Sequence, residues 1–234
     1  VAFLRGEGER PHGLPYIDLD EAQLLSPVQP GKVVGVGLNY RDHAREVGAA
    51  PPPAPVLFLK PATAVIGPGE PILLPPVAAR VDYEAELAVV MGRRGKHIPV
   101  AQVPEYVLGY TCGNDVTARD LQQKDGQWTR SKSFDTFCPL GPWVVTGLDP
   151  SRLGVKCRVS GTVRQDGNTR DLVFSVAELI SFISEVMTLE PGDVILTGTP
   201  SGIGPLEPGD VVEVEVEGVG VLVNPVKIAV DTPS

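Results

Sequence analysis

Glycine and proline interrupt this chain too often for long helices. There are 26 glycines and 24 prolines among 234 residues, against a usual combined share of about 12%. Glycine adds backbone freedom and proline removes a backbone donor, so both end regular elements early. Yet 42% of the residues are hydrophobic, enough to bury a core and too many for a disordered tract. Short strands joined by many turns satisfy both facts. The expected class is α+β, rich in β-strand, a mixed roll or sandwich with few short helices. The length suits one large domain over residues 31–234, preceded by a short segment over residues 1–30 that closes at Pro27, Pro30 and Gly31.

Charge and cysteine content narrow the partners. Lys and Arg number 20 against 29 Asp and Glu, a net charge of −9. With no basic run, nucleic acid and anionic membrane surfaces are not expected partners. Cys112, Cys138 and Cys157 form no CxxC pair, so burial in a reducing compartment is expected rather than a disulfide or thiolate site. No apolar stretch approaches the roughly 18 residues of a membrane span, and Val1–Arg10 has no signal-peptide core. A cytoplasmic globular protein is the expectation.

Patterning predicts the main elements. Lys32–Leu38 reads as a buried strand broken by glycines, followed by a helix capped by Asn39 and running through Val47. Ala49–Pro55 is proline-rich and forms a linker or flap. Strands are expected at Val56–Leu59, Ile72–Leu74, Tyr83–Met91, Val107–Cys112 and Trp143–Thr146. Ser175-x-x-Glu178 is a capping box ahead of Leu179, Ile180, Phe182, Ile183, Val186 and Met187 at helical spacing. The run Leu189-Glu-Pro-Gly-Asp-Val194 recurs at Leu206–Val211, each copy a Pro-Gly turn that launches a strand. Val211–Glu217 alternates Val and Glu and returns through Gly218–Gly220 as a half-buried hairpin.

Several residues carry chemical potential. Glu84 and Glu86 lie two apart in a strand and so share a face, where a divalent cation would relieve their repulsion. A solvated sheet face gives the same spacing, as Glu213, Glu215 and Glu217 illustrate. Asp115 ends an apolar strand, where it either caps the next helix or completes an all-oxygen site for Mg²⁺, Mn²⁺ or Ca²⁺. His43 and Glu46, three apart on a helix, form either an exposed pair or an oriented general base. Thr197–Pro205 is a Gly/Thr-rich loop suited to anions, without a Walker ending. Gly35-x-Gly37 lacks the remainder of a dinucleotide fingerprint.

The order of the motifs is distinctive. Val34-Gly-Val-Gly-Leu-Asn-Tyr-Arg-Asp-His43, Leu57-Phe-Leu-Lys-Pro61, Tyr83-Glu-Ala-Glu-Leu87, Gly109-Tyr-Thr-Cys-Gly-Asn-Asp-Val-Thr-Ala-Arg-Asp120, Ser131-Lys-Ser-Phe134 and Thr197-Gly-Thr-Pro200 follow one another. The stretch 31–227 thereby resembles the catalytic domain of the fumarylacetoacetate hydrolase superfamily. The resemblance implies a β-rich roll with a deep cleft, in a homodimer. It implies Mg²⁺ or Mn²⁺ on Glu84, Glu86 and Asp115, a catalytic His43–Glu46 dyad and an active-site Lys132. Arg119, Gln122 and Thr199 would bind substrate, Thr199 gripping its carboxylate.

Residues 1–30 are too short for the N-terminal domain of fumarylacetoacetate hydrolase itself, and Val33–Gly37 offers none of its fourth carboxylate. The resemblance is therefore to the short members. Their shared need is a stabilised enolate beside a carboxylate, on a small 2-oxo acid. The first reading is hydrolysis of acylpyruvates or decarboxylation of oxaloacetate-like acids. The alternative is the 2-hydroxyhepta-2,4-diene-1,7-dioate isomerase and 5-oxopent-3-ene-1,2,5-tricarboxylate decarboxylase chemistry of aromatic (homoprotocatechuate) catabolism. A third reading, a metal-stabilised β-protein without catalysis, predicts that metal removal unfolds the chain.

Overall fold

The computed structural model describes residues 22–229, so most of the 1–30 segment lies outside the described residues. Seven strands form the largest sheet, in the spatial order Val56–Lys60, Val33–Gly37, Val194–Leu196, Ala85–Met91, Val107–Asn114, Cys138–Val145 and Val65–Ile66. Val33–Gly37 runs parallel to Val194–Leu196 and antiparallel to Val56–Lys60. A second sheet of five strands contains the Val211–Val216/Gly220–Ile228 hairpin, and a three-stranded sheet centres on Val81–Tyr83. The chain is strand-rich α+β, with mixed pairing and few helices. No described helix is long and apolar enough to cross a membrane.

The largest sheet is buried on both faces. Leu87, Val89 and Met91 enter one apolar cluster, while Ala88 and Val90 enter another with Val33, Leu140 and Leu196. That explains why Ala85–Met91 shows no polar alternation. All three cysteines are free and buried, and burial pushes the thiols of Cys112, Cys138 and Cys157 up to about 12. The capping box is present, with Ser175 Oγ accepting from Glu178 N and Glu178 Oε2 accepting from Ser175 N. The helix it starts, Val176–Val186, buries Leu179, Ile180 and Ile183.

Both Pro-Gly turns are built alike. Gly192 and Gly209 take φ of 87° and 95°, and Asp193 N and Asp210 N each donate to the Glu carbonyl three residues back at 3.1 Å. Each Asp carboxylate in turn accepts from that Glu's N–H, at 2.7 and 2.9 Å. The aspartate of the repeat is thus a second clasp across the turn.

Two local expectations fail. Asn39 does not cap the helix, which spans Arg41–Glu46 with Tyr40 at its N-cap and no side-chain cap. Asn39 instead donates to the carbonyls of Thr197 and Phe174 and accepts from Phe174 N, because Leu38 before it turns into the left-handed region at φ 58°. The expected strand Tyr83–Met91 is two strands, Val81–Tyr83 and Ala85–Met91. At Glu84 the backbone leaves one sheet for another. Its N–H goes to the Asn114 side chain and its carbonyl accepts from Asp115 N.

Candidate active site

The break at Glu84 positions the site. Glu84 turns at the junction, Glu86 sits one step into the central strand, and Asp115 ends the neighbouring antiparallel strand, where Ala85 pairs with Asn114. The three buried carboxylates place one oxygen each within 4.8 Å of one another. Asp115 caps no helix: Thr117–Ala118 follows as a short strand, and Ala118 is the N-cap of the next helix, Arg119–Asp125.

Cations are distributed unequally over the triad. Lys132 Nζ donates to Glu84 Oε2 at 2.9 Å and to Asp115 Oδ2. Lys60 Nζ donates to Asp115 Oδ1 at 2.5 Å and to the Val116 carbonyl at 3.1 Å. Arg119 donates to Glu84 Oε1, to Asp82 and to Gln122. Glu86 has no salt bridge among the described residues, and Gly198 N donates to it at 2.6 Å. Burial would raise Glu84, but Lys132, Arg119 and His43 outweigh it and hold the carboxyl well below its ordinary range. Glu86 goes the other way, pushed well up by burial and then by repulsion from Asp115 and Glu84. Burial works against the Lys132 ammonium, yet Asp115 and Glu84 hold its pKa above the usual value. An all-oxygen donor set with one unpaired, repelled carboxylate is what a hard divalent cation fits.

His43 faces the same cavity, of about 300 Å³, as the triad, Lys132, Arg119, Gln122 and Thr199. Its Nδ1 is 3.1 Å from Glu46 Oε2, which leaves Nε2 for a substrate. The other Glu46 oxygen accepts from Gly202 N at 2.9 Å. Asp42 accepts from both Ser201 N and Ser201 Oγ, the latter at 2.7 Å. The six-residue helix is therefore held by the 197–202 loop rather than by its own caps. Thr199 Oγ1 donates to the Ala85 carbonyl at 2.8 Å and accepts from Gln165 Nε2 at 2.7 Å, so its hydroxyl is engaged by the protein. The cavity's apolar side is made by Val36, Leu38, Val47 and Trp128.

The family model described as fumarylacetoacetate (FAA) hydrolase C-terminal matches residues 32–227. This chain belongs to that family. Among its relatives, the rat protein named oxaloacetate tautomerase Fahd2a, mitochondrial, is 45% identical over 225 residues, which cover 91% of this chain and 72% of the relative. A solved structure titled 5-carboxymethyl-2-hydroxymuconate delta-isomerase, from Mycobacterium smegmatis, superposes with a TM-score of 0.86 at 54% identity, over 91% of this chain and 85% of that one. Another, titled 2-hydroxyhepta-2,4-diene-1,7-dioate isomerase, from Mycobacterium marinum, gives 0.84 at 48% identity, over 94% and 86%.

All nine residues singled out on the sequence therefore surround or line one cavity, Glu46 from behind His43. Sequence reasoning missed Lys60, Gln165 and Asp42. Lys60 is fully buried against Asp115; its signal was the motif Leu57-Phe-Leu-Lys-Pro61, to whose lysine no role was assigned. Gln165 accepts from Ala85 N and donates to Thr199 and Pro200, zipping the central strand to the loop. Nothing in the pattern of the strand Thr162–Asn168 marks it out.

Proposed function

We propose that this chain is a divalent-metal-dependent enzyme that moves a proton between oxygen and carbon of a short 2-oxo dicarboxylic acid, a keto–enol tautomerase or isomerase. The observation that carries it is the His43–Glu46 pair facing the carboxylate triad across one cavity. Glu84, Glu86 and Asp115 would hold the cation, Mg²⁺ or Mn²⁺ by the hardness of the donor set. When bound, it supplies positive charge that favours an enolate over the keto acid.

The remaining steps belong to the chain. In the enol-to-keto direction the 2-hydroxyl proton leaves and carbon 3 gains one. An imidazole with Glu46 on Nδ1 is oriented to exchange protons through Nε2. Lys132, held charged by Asp115 and Glu84, adds a positive field where the enolate charge develops. Hydrolysis of acylpyruvates or decarboxylation, the first reading of the sequence, would use the same groups. The relatives named above are a tautomerase and isomerases, which favours proton movement without C–C cleavage.

The test follows the ultraviolet band of enol-oxaloacetate with Mg²⁺-loaded protein and a metal-stripped control, while acetylpyruvate and 2-hydroxyhepta-2,4-diene-1,7-dioate are assayed beside it. Metal-dependent loss of the enol band, or of the diene band, without pyruvate release is expected. His43→Ala should slow it about 10²–10⁴-fold. Pyruvate released from acetylpyruvate at a rate matching or exceeding tautomerisation would make the protein a hydrolase instead.

A further inference from the structure

Trp128 stands between two spaces. It lines the candidate cavity of about 300 Å³ and also a groove of about 460 Å³ formed by Val56–Leu59 and Gly126–Thr129. The indole is held from several directions. A Cβ placed on Gly37 would lie 2.4 Å from its Cζ3 and 2.7 Å from its Cη2, so the ring rests directly on the bare backbone of that strand. Phe58 meets it edge-on, with ring centroids 5.6 Å apart and planes at 64°. Phe58 itself lies over Gly35, where a Cβ would come within 2.1 Å of Cζ. The Trp128 carbonyl accepts from Lys132 N at 3.1 Å and from Ser131 Oγ at 2.8 Å. The ring is thus fixed one turn ahead of the lysine that contacts Glu84 and Asp115.

Such a ring is a rigid partition. The cavity it lines holds the triad, Lys132 and Arg119, and the groove it also lines is part apolar, through Val56–Leu59, and part polar, through Gln127 and Thr129; Phe58 bridges the two, with the Lys132 ammonium 4.7 Å from its ring centroid. An acid held among the charged residues shares its cavity with the indole, which bounds that cavity where it packs on Gly37 and Phe58. We infer that Trp128 is a specificity-determining residue: its indole is the end wall that restricts the cavity to short 2-oxo acids, and the groove behind it is the space an apolar tail would enter if the wall were withdrawn. This rests on the reading of the cavity as a 2-oxo-acid site, and it narrows that reading to compact substrates.

The test is binding, so it does not depend on which reaction follows. Pyruvate and 2-oxooctanoate are titrated into Mg²⁺-loaded protein by calorimetry. Wild type should bind pyruvate and discriminate against 2-oxooctanoate. Trp128→Ala should bind 2-oxooctanoate about tenfold or more tighter than wild type, the gain expected from burying a few methylenes, with pyruvate within about twofold. Gly37→Ala keeps the indole but displaces it, and should shift the ratio in the same direction; Trp128→Phe, which keeps a ring in place, should stay near wild type. If Trp128→Ala does not fold, Trp128→Leu and Gly37→Ala carry the comparison. An unchanged 2-oxooctanoate-to-pyruvate ratio in variants that melt like wild type overturns the inference about Trp128. Failure of wild type to bind either acid, or oxaloacetate titrated beside them, overturns the 2-oxo-acid reading, and the role of Trp128 with it.

Discussion

Asp115 has two lysines against it and Glu86 has none, so the carboxylates of one triad respond differently to substitution. Asp115→Ala strands Lys60, buried and tied to Val116, beside Lys132. An unpaired buried charge costs about 3–5 kcal/mol, which urea unfolding of the metal-free protein should show. Glu86→Gln removes the carboxylate that burial, Asp115 and Glu84 all disfavour. That variant should lose divalent-cation binding yet be no less stable than metal-free wild type. The pH dependence follows from the same shift. Glu86 is raised above the ordinary carboxylate value of 4.5, so in metal-free wild type its contribution is fully present below that value and is lost as pH rises through the folded pKa. Glu84 is lowered; its contribution is present above 4.5 and lost as pH falls. Unfolding free energies of wild type and Glu86→Gln should therefore diverge in favour of the variant as pH rises; parallel profiles would contradict the assigned repulsion.

The helix Arg41–Glu46 has no side-chain cap and only six residues, far short of what holds a helix alone. Its place depends on Asp42–Ser201, Glu46–Gly202 and the Asn39 bonds to Thr197 and Phe174. Asp42→Ala should lower kcat more than a loss of roughly 1–2 kcal/mol in stability would explain, because His43 loses its position. Equal loss with Ser175→Ala, which weakens a helix remote from the cavity, would show a general effect instead. Elements with local causes were legible in the sequence: the Ser175 capping box, both Pro-Gly turns and the hairpin that follows the second of them need only neighbours along the chain. The Gly35-x-Gly37 pair was visible but unexplained, because its reason is two aromatic rings from residues 58 and 128. That Glu84 joins Glu86 and Asp115 in one buried cluster was legible through its motif. The strand break beneath it was not, since it depends on Asn114 and Asp115. Lys60 stayed hidden because a lysine at a strand end ordinarily reaches water.

At the scale of the molecule, the cation is expected to serve chemistry more than folding. The apolar core lies between the sheets and includes none of the three carboxylates, and Lys60, Lys132 and Arg119 face them. Chelation should abolish turnover reversibly. It should lower Tm by only about 5–10 °C relative to protein at a hundredfold excess of metal over its Kd. Loss of the cooperative melt on chelation would instead support a structural ion. Glu86 accepts from Gly198, and the strand before that glycine pairs in parallel with Val33–Gly37, in a sheet where Lys32 and Asp193 bond across 161 residues of chain. A nascent chain that has emerged through residue 180 therefore contains Glu84, Glu86, Asp115 and His43 but not the strand and loop that bring them together. The cavity they line is assembled only once Val194–Leu196 has threaded between two strands made long before it, so the site closes late in folding rather than segment by segment.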